Sequence, residues 1–189
     1  GRGQKMSNEP LLEMRGITKS FPGVKALDGA ELTLKCGEVH ALMGENGAGK
    51  STLMKCLFGV YRRDGGSVKL LGEEVDFKNS KEALSMGVAM VHQELNQALK
   101  LSVSDNVWLG RYPKYSKFFP FVNEGEMHKR TDALLRSIGI NISPKTKMST
   151  LSVSERQTVE IAKAISYGAR VIVFDEPTSS LSEGEVERL

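Results

Sequence analysis

Apolar and polar residues alternate along the N-terminal part of the chain, from Leu11 to Leu34. A period of two is typical of strands with one buried face, and the intervening FPGVKALDG carries the proline and glycines of a turn. We therefore expect antiparallel strands in this region. Farther on, SVKLLGEEV predicts a strand and a turn, and SMGVAMVHQE predicts a buried strand that ends in polar residues.

Two more apolar runs predict buried strands. The first, GEVHALM, is followed by the glycine-rich GENGAGKS and then by a segment with one apolar helical face. The second, RVIVFDEP, has the continuous apolar character of a strand in a parallel sheet covered on both faces. Strands that alternate with helices in this way indicate an α/β core.

Between residues 94 and 148 the pattern becomes helical, as in MHKRTDALLRSIGI. The fold class predicted is therefore an α/β core with an antiparallel β subdomain and an α-helical subdomain at 94–148. We expect one domain over 11–189, with residues 1–10 a tail or cloning remnant. The last residues, SEGEVERL, resemble the opening of a helix, so we expect the domain to be truncated at its C-terminus.

Composition excludes some classes of function. The 189 residues are 40% hydrophobic and carry a net charge of +3, and the longest basic runs are the pairs Arg62–Arg63 and Lys129–Arg130. We therefore expect no nucleic-acid groove. No run approaches the roughly 18–20 apolar residues of a transmembrane helix. Cys36 and Cys56 lack metal-ligand spacing and are predicted to be reduced thiols.

The segment GENGAGKS fits the phosphate-loop pattern G-x-x-x-x-G-K-[ST], placed after a strand and before a helix. Its glycines allow the backbone amides to converge on an anion at a helix N-terminus. The lysine supplies a positive charge, and the serine can ligate magnesium. The alternative is a glycine-rich turn. The predicted nucleotide-binding residues are Gly44, Glu45, Asn46, Gly47, Ala48, Gly49, Lys50, Ser51 and Thr52.

An acidic pair, Asp175 and Glu176, follows the strand VIVF. At that end of a sheet, Asp175 is predicted to hold Mg²⁺ through its water shell. Glu176 is predicted to act as the general base toward water, a role that accelerates a reaction by about 10²–10⁴-fold. The alternative is a solvated turn, and the phosphate loop upstream favours the catalytic reading.

A capping box, Ser152-x-x-Glu155, begins the helical segment that follows Leu151. In the simplest interpretation it only starts a helix. A helix N-terminus with serine hydroxyls is also an anion site, which could face a nucleotide held by another domain.

Taken in order, GENGAGKS, VHQE, LSVSERQTVEIAKA and VIVFDEPTSSLS resemble the ATP-binding-cassette ATPase family. The likeness is greatest to the ATPases of bacterial monosaccharide importers, in particular the galactose/methyl-galactoside type. The resemblance implies that Phe21 stacks on adenine and that Gln93 contacts Mg²⁺ and the attacking water. It also implies that Ser152 and Ser154 bind ATP held by an opposing cassette. Phe21 could instead be a core aromatic, and Gln93 a solvated strand end.

The resemblance implies a P-loop NTPase that uses ATP and Mg²⁺ at the cytoplasmic face of a bacterial inner membrane, as a peripheral protein. Implied partners are a second cassette, membrane permease subunits and, indirectly, a periplasmic sugar-binding protein. The family's signature is L-S-G-G-Q, whereas Val153, Ser154 and Glu155 occupy its last three places here. The family's switch histidine would lie beyond the last residue, so the 189 residues alone are expected to be deficient in hydrolysis.

Two other functions stay open. One is a cassette that acts as a nucleotide-gated clamp on nucleic acid or ribosomes, which the mild charge disfavours. The other is a scaffold that binds ATP without turnover, which the presence of Glu176 disfavours.

Overall fold

The computed structural model describes residues 9–45, 47, 49–91, 97–115 and 121–174. The chain divides into two compact units, Gly1–Val88 and Ala89–Leu189. The first contains a sheet of four strands in the order β2–β1–β3–β4, with antiparallel pairing throughout. This confirms the predicted antiparallel β region. The strands are β1 (Leu12–Phe21), β2 (Val24–Leu34), β3 (Gly65–Leu70) and β4 (Glu73–Glu74).

Alternation along β1 sets which face of this sheet is buried. Leu12 and Met14 are fully buried, and their partners across the ladder to β3 are the buried Leu70 and Val68. Because successive side chains point to opposite faces, the residues between them are more exposed. The sheet therefore has one apolar face, as the sequence pattern predicts.

Two helices complete the described part of the first unit, α1 (Lys50–Leu57) and α2 (Ser80–Ser85). Helix α1 lies against β2 and buries Leu53, Met54 and Leu57, which confirms the predicted apolar face. It ends at Leu57, and the next residue, the buried Phe58, donates its amide to the Met54 carbonyl at 2.9 Å.

The segment GEVHALM, residues 37–43, is not the buried strand that its apolar run predicts. No helix or strand is assigned from 38 to 45, and Val39 and Met43 are 91% and 90% exposed. A strand forms only where a neighbour accepts and donates its ladder hydrogen bonds, and no described strand pairs with this segment. The apolar run predicted burial of the segment, but it did not predict a partner strand.

In its described residues, the second unit combines a short sheet with three α-helices. Strand β5 (Val88–Val91) begins at the boundary between the units and pairs with β6 (Val171–Phe174). Both confirm predicted strands, although only Val171 of β6 is fully buried. The helices are α3 (Val103–Trp108), α4 (Glu124–Ser137) and α5 (Val153–Ser166), with a 3₁₀ helix at Met148–Thr150. The limits 94–148 for a helical subdomain stay a prediction.

The helices of this unit share one apolar core. It consists of Val103, Val107, Leu135, Met148, Leu151, Val159 and Ala162. Thr131 is fully buried beside it, where its hydroxyl donates to the Met127 carbonyl at 2.8 Å and accepts from the Trp108 indole at 3.0 Å. None of the helices in the described ranges has the length and apolar character needed to cross a bilayer.

Candidate functional site

The phosphate loop ends where α1 begins, and Gly49 fixes that junction. Its φ of +86° lies in the left-handed region that favours glycine. A Cβ at Gly49 would lie 2.8 Å from the Ala26 carbonyl oxygen and 2.9 Å from Leu27 Cδ2. Backbone angle and close packing on β2 thus both require glycine here.

Helix α1 has an N-terminus that no side chain satisfies. Of the five α-helices in the described residues, it alone begins without a side-chain cap and without an acidic residue in its first turn. The orphan amides and the positive end of the helix dipole are therefore uncompensated by protein groups. This is the electrostatic condition for binding a phosphate.

Lys50 folds back over its own loop. Its ammonium donates to the Gly44 carbonyl and, at 3.0 Å, to the Glu45 carbonyl. The side chain is half-buried rather than exposed. A Cβ at Gly47, where φ is +90°, would meet no atom within 4 Å, so the loop is open on that side.

Ser51 is exposed and Thr52 half-buried in the first turn of α1, so both hydroxyls lie beside the uncapped amides. The structure thus gathers most of the predicted nucleotide-binding residues into one loop and helix start. Asn46 and Ala48 lie outside the described residues.

The groups present fit the phosphates of ATP. Uncapped backbone amides, one ammonium and two hydroxyls lie at the loop and the start of α1, and no carboxylate enters the first turn of the helix. Ser51 supplies one hard oxygen ligand of the kind that Mg²⁺ prefers.

Phe21 ends β1 and pairs across the turn with Val24, which is 62% exposed. The Phe21 ring is half-buried, not enclosed in the core. It meets the Tyr61 ring edge to face, with centroids 5.2 Å apart and planes at 73°. The Lys19 ammonium lies 5.5 Å from its centroid. An aromatic surface is therefore available at the hairpin end for a flat ring.

Tyr61 was missed by sequence reasoning. It lies four residues after the end of α1, and the Lys55 ammonium lies 5.2 Å from the centroid of its ring. No local pattern marks it, because its partner Phe21 lies forty residues earlier in the chain.

Asp64 fastens the hairpin end that carries Phe21. Its carboxylate accepts from the Ser20 amide at 2.6 Å and from the Lys19 ammonium at 3.0 Å. The Ser20 amide, and after it the Lys19 ammonium, hold the pKa of Asp64 below its usual range. The start of β3 is thereby tied to the end of β1.

The predicted capping box at the start of α5 is confirmed. The Glu155 amide donates to Ser152 Oγ at 3.3 Å, and the Glu155 carboxylate accepts from the Ser152 amide at 2.8 Å and its hydroxyl at 2.9 Å. The hydroxyls of Ser152 and Ser154 lie 3.2 Å apart. Ser152 is exposed, and so is Val153, at 52%, so this helix start is open.

The residues LSVS occur twice, at 101–104 and 151–154, each followed by an acid. At α3 the segment is covered: the amides of Val103 and Ser104 donate to carbonyls of Thr146 and Pro144, and Ser104 is fully buried. At α5 no described carbonyl covers the corresponding amides. Among the described residues, the two copies therefore differ in whether carbonyls cover the amides that follow the cap.

The remaining predicted residues, Gln93, Asp175 and Glu176, lie outside the described residues. Strand β5 ends at Val91 and β6 at Phe174, and the two strands are hydrogen-bonded neighbours. The roles of these three side chains stay predictions.

Comparisons with known proteins agree with the motifs. The profile of the ABC transporter family matches residues 27–179. A Clostridium perfringens galactose/methyl galactoside import ATP-binding protein is 59% identical over 179 residues, which are 95% of this chain and 34% of the relative. Proteins of the same name from Salmonella typhimurium and Haemophilus influenzae are 57% and 56% identical, over 97% and 98% of this chain and 36% of each relative. The chain thus spans about a third of the length of these curated relatives.

Solved structures show the same fold. An ATP-binding cassette of an ABC transporter in its ADP conformation has a TM-score of 0.80 at 25% identity, covering 96% of this chain and 74% of that one. CbiO1 from Clostridium perfringens, part of the ABC transporter complex CbiONQ, has a TM-score of 0.77 at 27% identity, covering 95% and 70%. The fold is that of the ABC ATPase cassette, and the chain belongs to the ABC transporter family.

Proposed function

We propose that this chain is a nucleotide-binding cassette of a bacterial importer for galactose, methyl galactoside or a similar monosaccharide. In the full-length protein it binds ATP and Mg²⁺ and couples ATP hydrolysis to sugar uptake. The observation that carries the nucleotide-binding part is the start of α1. There, Gly49 leads into a helix whose first amides have neither a cap nor an acidic neighbour.

The roles follow from the chemistry of each group. The amides of the loop and the ammonium of Lys50 hold the phosphates, once Lys50 exchanges its carbonyl acceptors for phosphate oxygens. Phe21 offers its ring to adenine, with Tyr61 bracing it from the edge. Bound Mg²⁺ neutralises phosphate charge, and Ser51, Asp175 and Gln93 would hold it. Glu176 would take the proton of the attacking water.

The open start of α5 is assigned to a second cassette. Ser152 and Ser154 present hydroxyls at the positive end of a fourteen-residue helix. This surface would meet the terminal phosphate of ATP held by the other cassette, in the same full-length chain or in a dimer. Hydrolysis would then require two cassettes to close around the nucleotide.

The partners proposed beyond the cassettes are membrane permease subunits and, through them, a periplasmic sugar-binding protein. The site of action is the cytoplasmic face of the inner membrane. The choice of sugar rests on the names of relatives that share 56–59% identity with this chain.

Uptake measured in cells tests the importer. A strain that lacks the protein should lose uptake of radiolabelled galactose and methyl galactoside. The full-length wild-type gene should restore it, and a Glu176→Gln copy of equal abundance should not. Unimpaired uptake of both sugars, with loss of another monosaccharide, would contradict the assignment of substrate. Restoration by Glu176→Gln would contradict the assigned base.

A further inference from the structure

The acid that closes the capping box of α5 accepts hydrogens that a phosphate bound there would also need. The carboxylate of Glu155 accepts both the hydroxyl and the amide hydrogens of Ser152, at 2.9 and 2.8 Å. A hydroxyl that donates to a carboxylate has no second proton to give to another anion. The Ser152 hydroxyl therefore already donates its one hydrogen to Glu155.

Glu155 also has no ion-pair partner among the described residues. It is exposed, and no lysine, arginine or histidine of the described residues forms an ion pair with it. The neighbouring Arg156 points elsewhere, donating to the carbonyls of Leu151 at 3.0 Å and Ser149 at 3.4 Å. The carboxylate therefore lies at the start of α5, where its described partners are groups of Ser152.

The same chemistry at α3 has no such consequence. There the Asp105 carboxylate accepts from the amide and the hydroxyl of Ser102, in a capping box like that of α5. The amides that follow are covered by the carbonyls of Thr146 and Pro144. The two boxes thus differ in access, not in their internal bonding.

We propose that Glu155 is a positioning residue that restrains closure of this cassette on ATP held by a second cassette. It keeps the Ser152 hydroxyl turned inward and repels the approaching phosphates, so closure must first break its bonds to Ser152. This inference rests on the proposed function. In this proposal Glu155 sets the ATP concentration at which the two cassettes close, and it takes no part in the chemical step.

Glu155→Gln in the full-length protein tests the proposal. Glutamine can form the same capping box without the charge, so the helix start is kept. We expect the KM for Mg-ATP to fall about fivefold with kcat unchanged, and the difference to shrink in 0.5 M salt, where exposed charges are screened. Glu155→Asp keeps the charge, and the box at α3 shows that aspartate also closes it, so its KM should remain that of wild type.

Asp105→Asn is the matched control, because it removes the acid of the equivalent box at the covered start of α3. Its KM should equal that of wild type, and thermal melting should show that every variant is folded. An unchanged KM in Glu155→Gln, or an equal fall in Asp105→Asn, would overturn the proposal. So would a fall in KM that salt leaves intact. Absence of ATP hydrolysis in wild type itself would instead contradict the proposed function.

Discussion

At the scale of single residues, Lys50 is held against the phosphate loop by backbone groups. Within the described residues, its ammonium bonds the carbonyls of Gly44 and Glu45. These contacts add little packing, and an incoming phosphate is a stronger acceptor than a carbonyl. The contacts to the two carbonyls therefore keep the ammonium at the loop, and a phosphate oxygen would replace them.

Lys50→Ala should weaken ATP binding about 10- to 100-fold, because one hydrogen bond to a charged group is lost. The melting temperature should remain near that of wild type. Titration with a fluorescent nucleotide and thermal melting of the same sample measure both. Lys69→Ala, an exposed lysine on β3, is the control. Equal affinity in Lys50→Ala and wild type would refute the phosphate-loop assignment.

Asp64 gives the hairpin end a dependence on pH. Because its pKa is lowered in the folded state, it stabilises the fold above its unfolded pKa of about 4. That stability is lost as the pH falls through the lower, folded value. The loss should be largest at the Phe21 hairpin, since the carboxylate bonds Ser20 and Lys19.

Melting temperatures from pH 7 to pH 3 should therefore fall more for wild type than for Asp64→Asn, and the two curves should converge at acid pH. Asp28→Asn removes an exposed aspartate that bonds one lysine, and its curve should run parallel to that of wild type. A constant difference between wild type and Asp64→Asn across the whole range would contradict this account.

At the scale of elements, the junction between the loop and α1 leaves no room for a side chain at Gly49. Gly49→Ala combines a left-handed φ with a Cβ placed 2.8 Å from a backbone oxygen. We expect it to lower the free energy of unfolding by about 2–4 kcal/mol and to weaken nucleotide binding. Urea denaturation measures the first effect.

Gly139→Ala separates the cost of the left-handed φ from the cost of the steric clash. Gly139 has a φ of +73° and open space where a Cβ would lie, so alanine there adds strain without a clash. Its cost should be about 1 kcal/mol. Equal destabilisation by Gly49→Ala and Gly139→Ala would show that close packing against β2 is not the reason that position 49 requires glycine.

At the scale of the whole molecule, the proposed ATPase site needs a second cassette. In the proposed function, Ser152 and Ser154 at the start of α5 would bind ATP that is held by a second cassette. Activity of these 189 residues by themselves should therefore depend on association between copies.

Phosphate release by the 189-residue chain at saturating Mg-ATP should be far below that of the full-length protein, per cassette. Any residual rate should rise more steeply than linearly with protein concentration, since two copies must meet. A rate per molecule that equals the full-length value and does not vary with concentration would contradict the requirement for a second cassette.

The sequence predicted much of the fold because many elements are locally encoded. Alternation gave β1 and β2, helical spacing gave α1, and a capping box gave α5. GEVHALM failed because an apolar run states only that a segment prefers burial. The run does not specify which strand would hydrogen-bond to this segment.

Within the candidate site, local chemistry was readable and long-range partners were not. The glycines, Lys50 and the hydroxyls are contiguous, so their spacing alone indicated a phosphate. Tyr61 and Asp64 were missed because their partners, Phe21 and Ser20, lie about forty residues away in the sequence.

The sequence by itself determined the chemistry of the phosphate loop and the positions where helices start, since both depend on neighbouring residues. The four residues LSVS do not by themselves distinguish 101–104 from 151–154, because the two copies form the same cap. Tertiary structure decided that point. The segment that carries Pro144 and Thr146 supplies carbonyls to the amides of the first copy, whose Val103 and Ser104 are fully buried, whereas no described carbonyl covers the amides of the second copy.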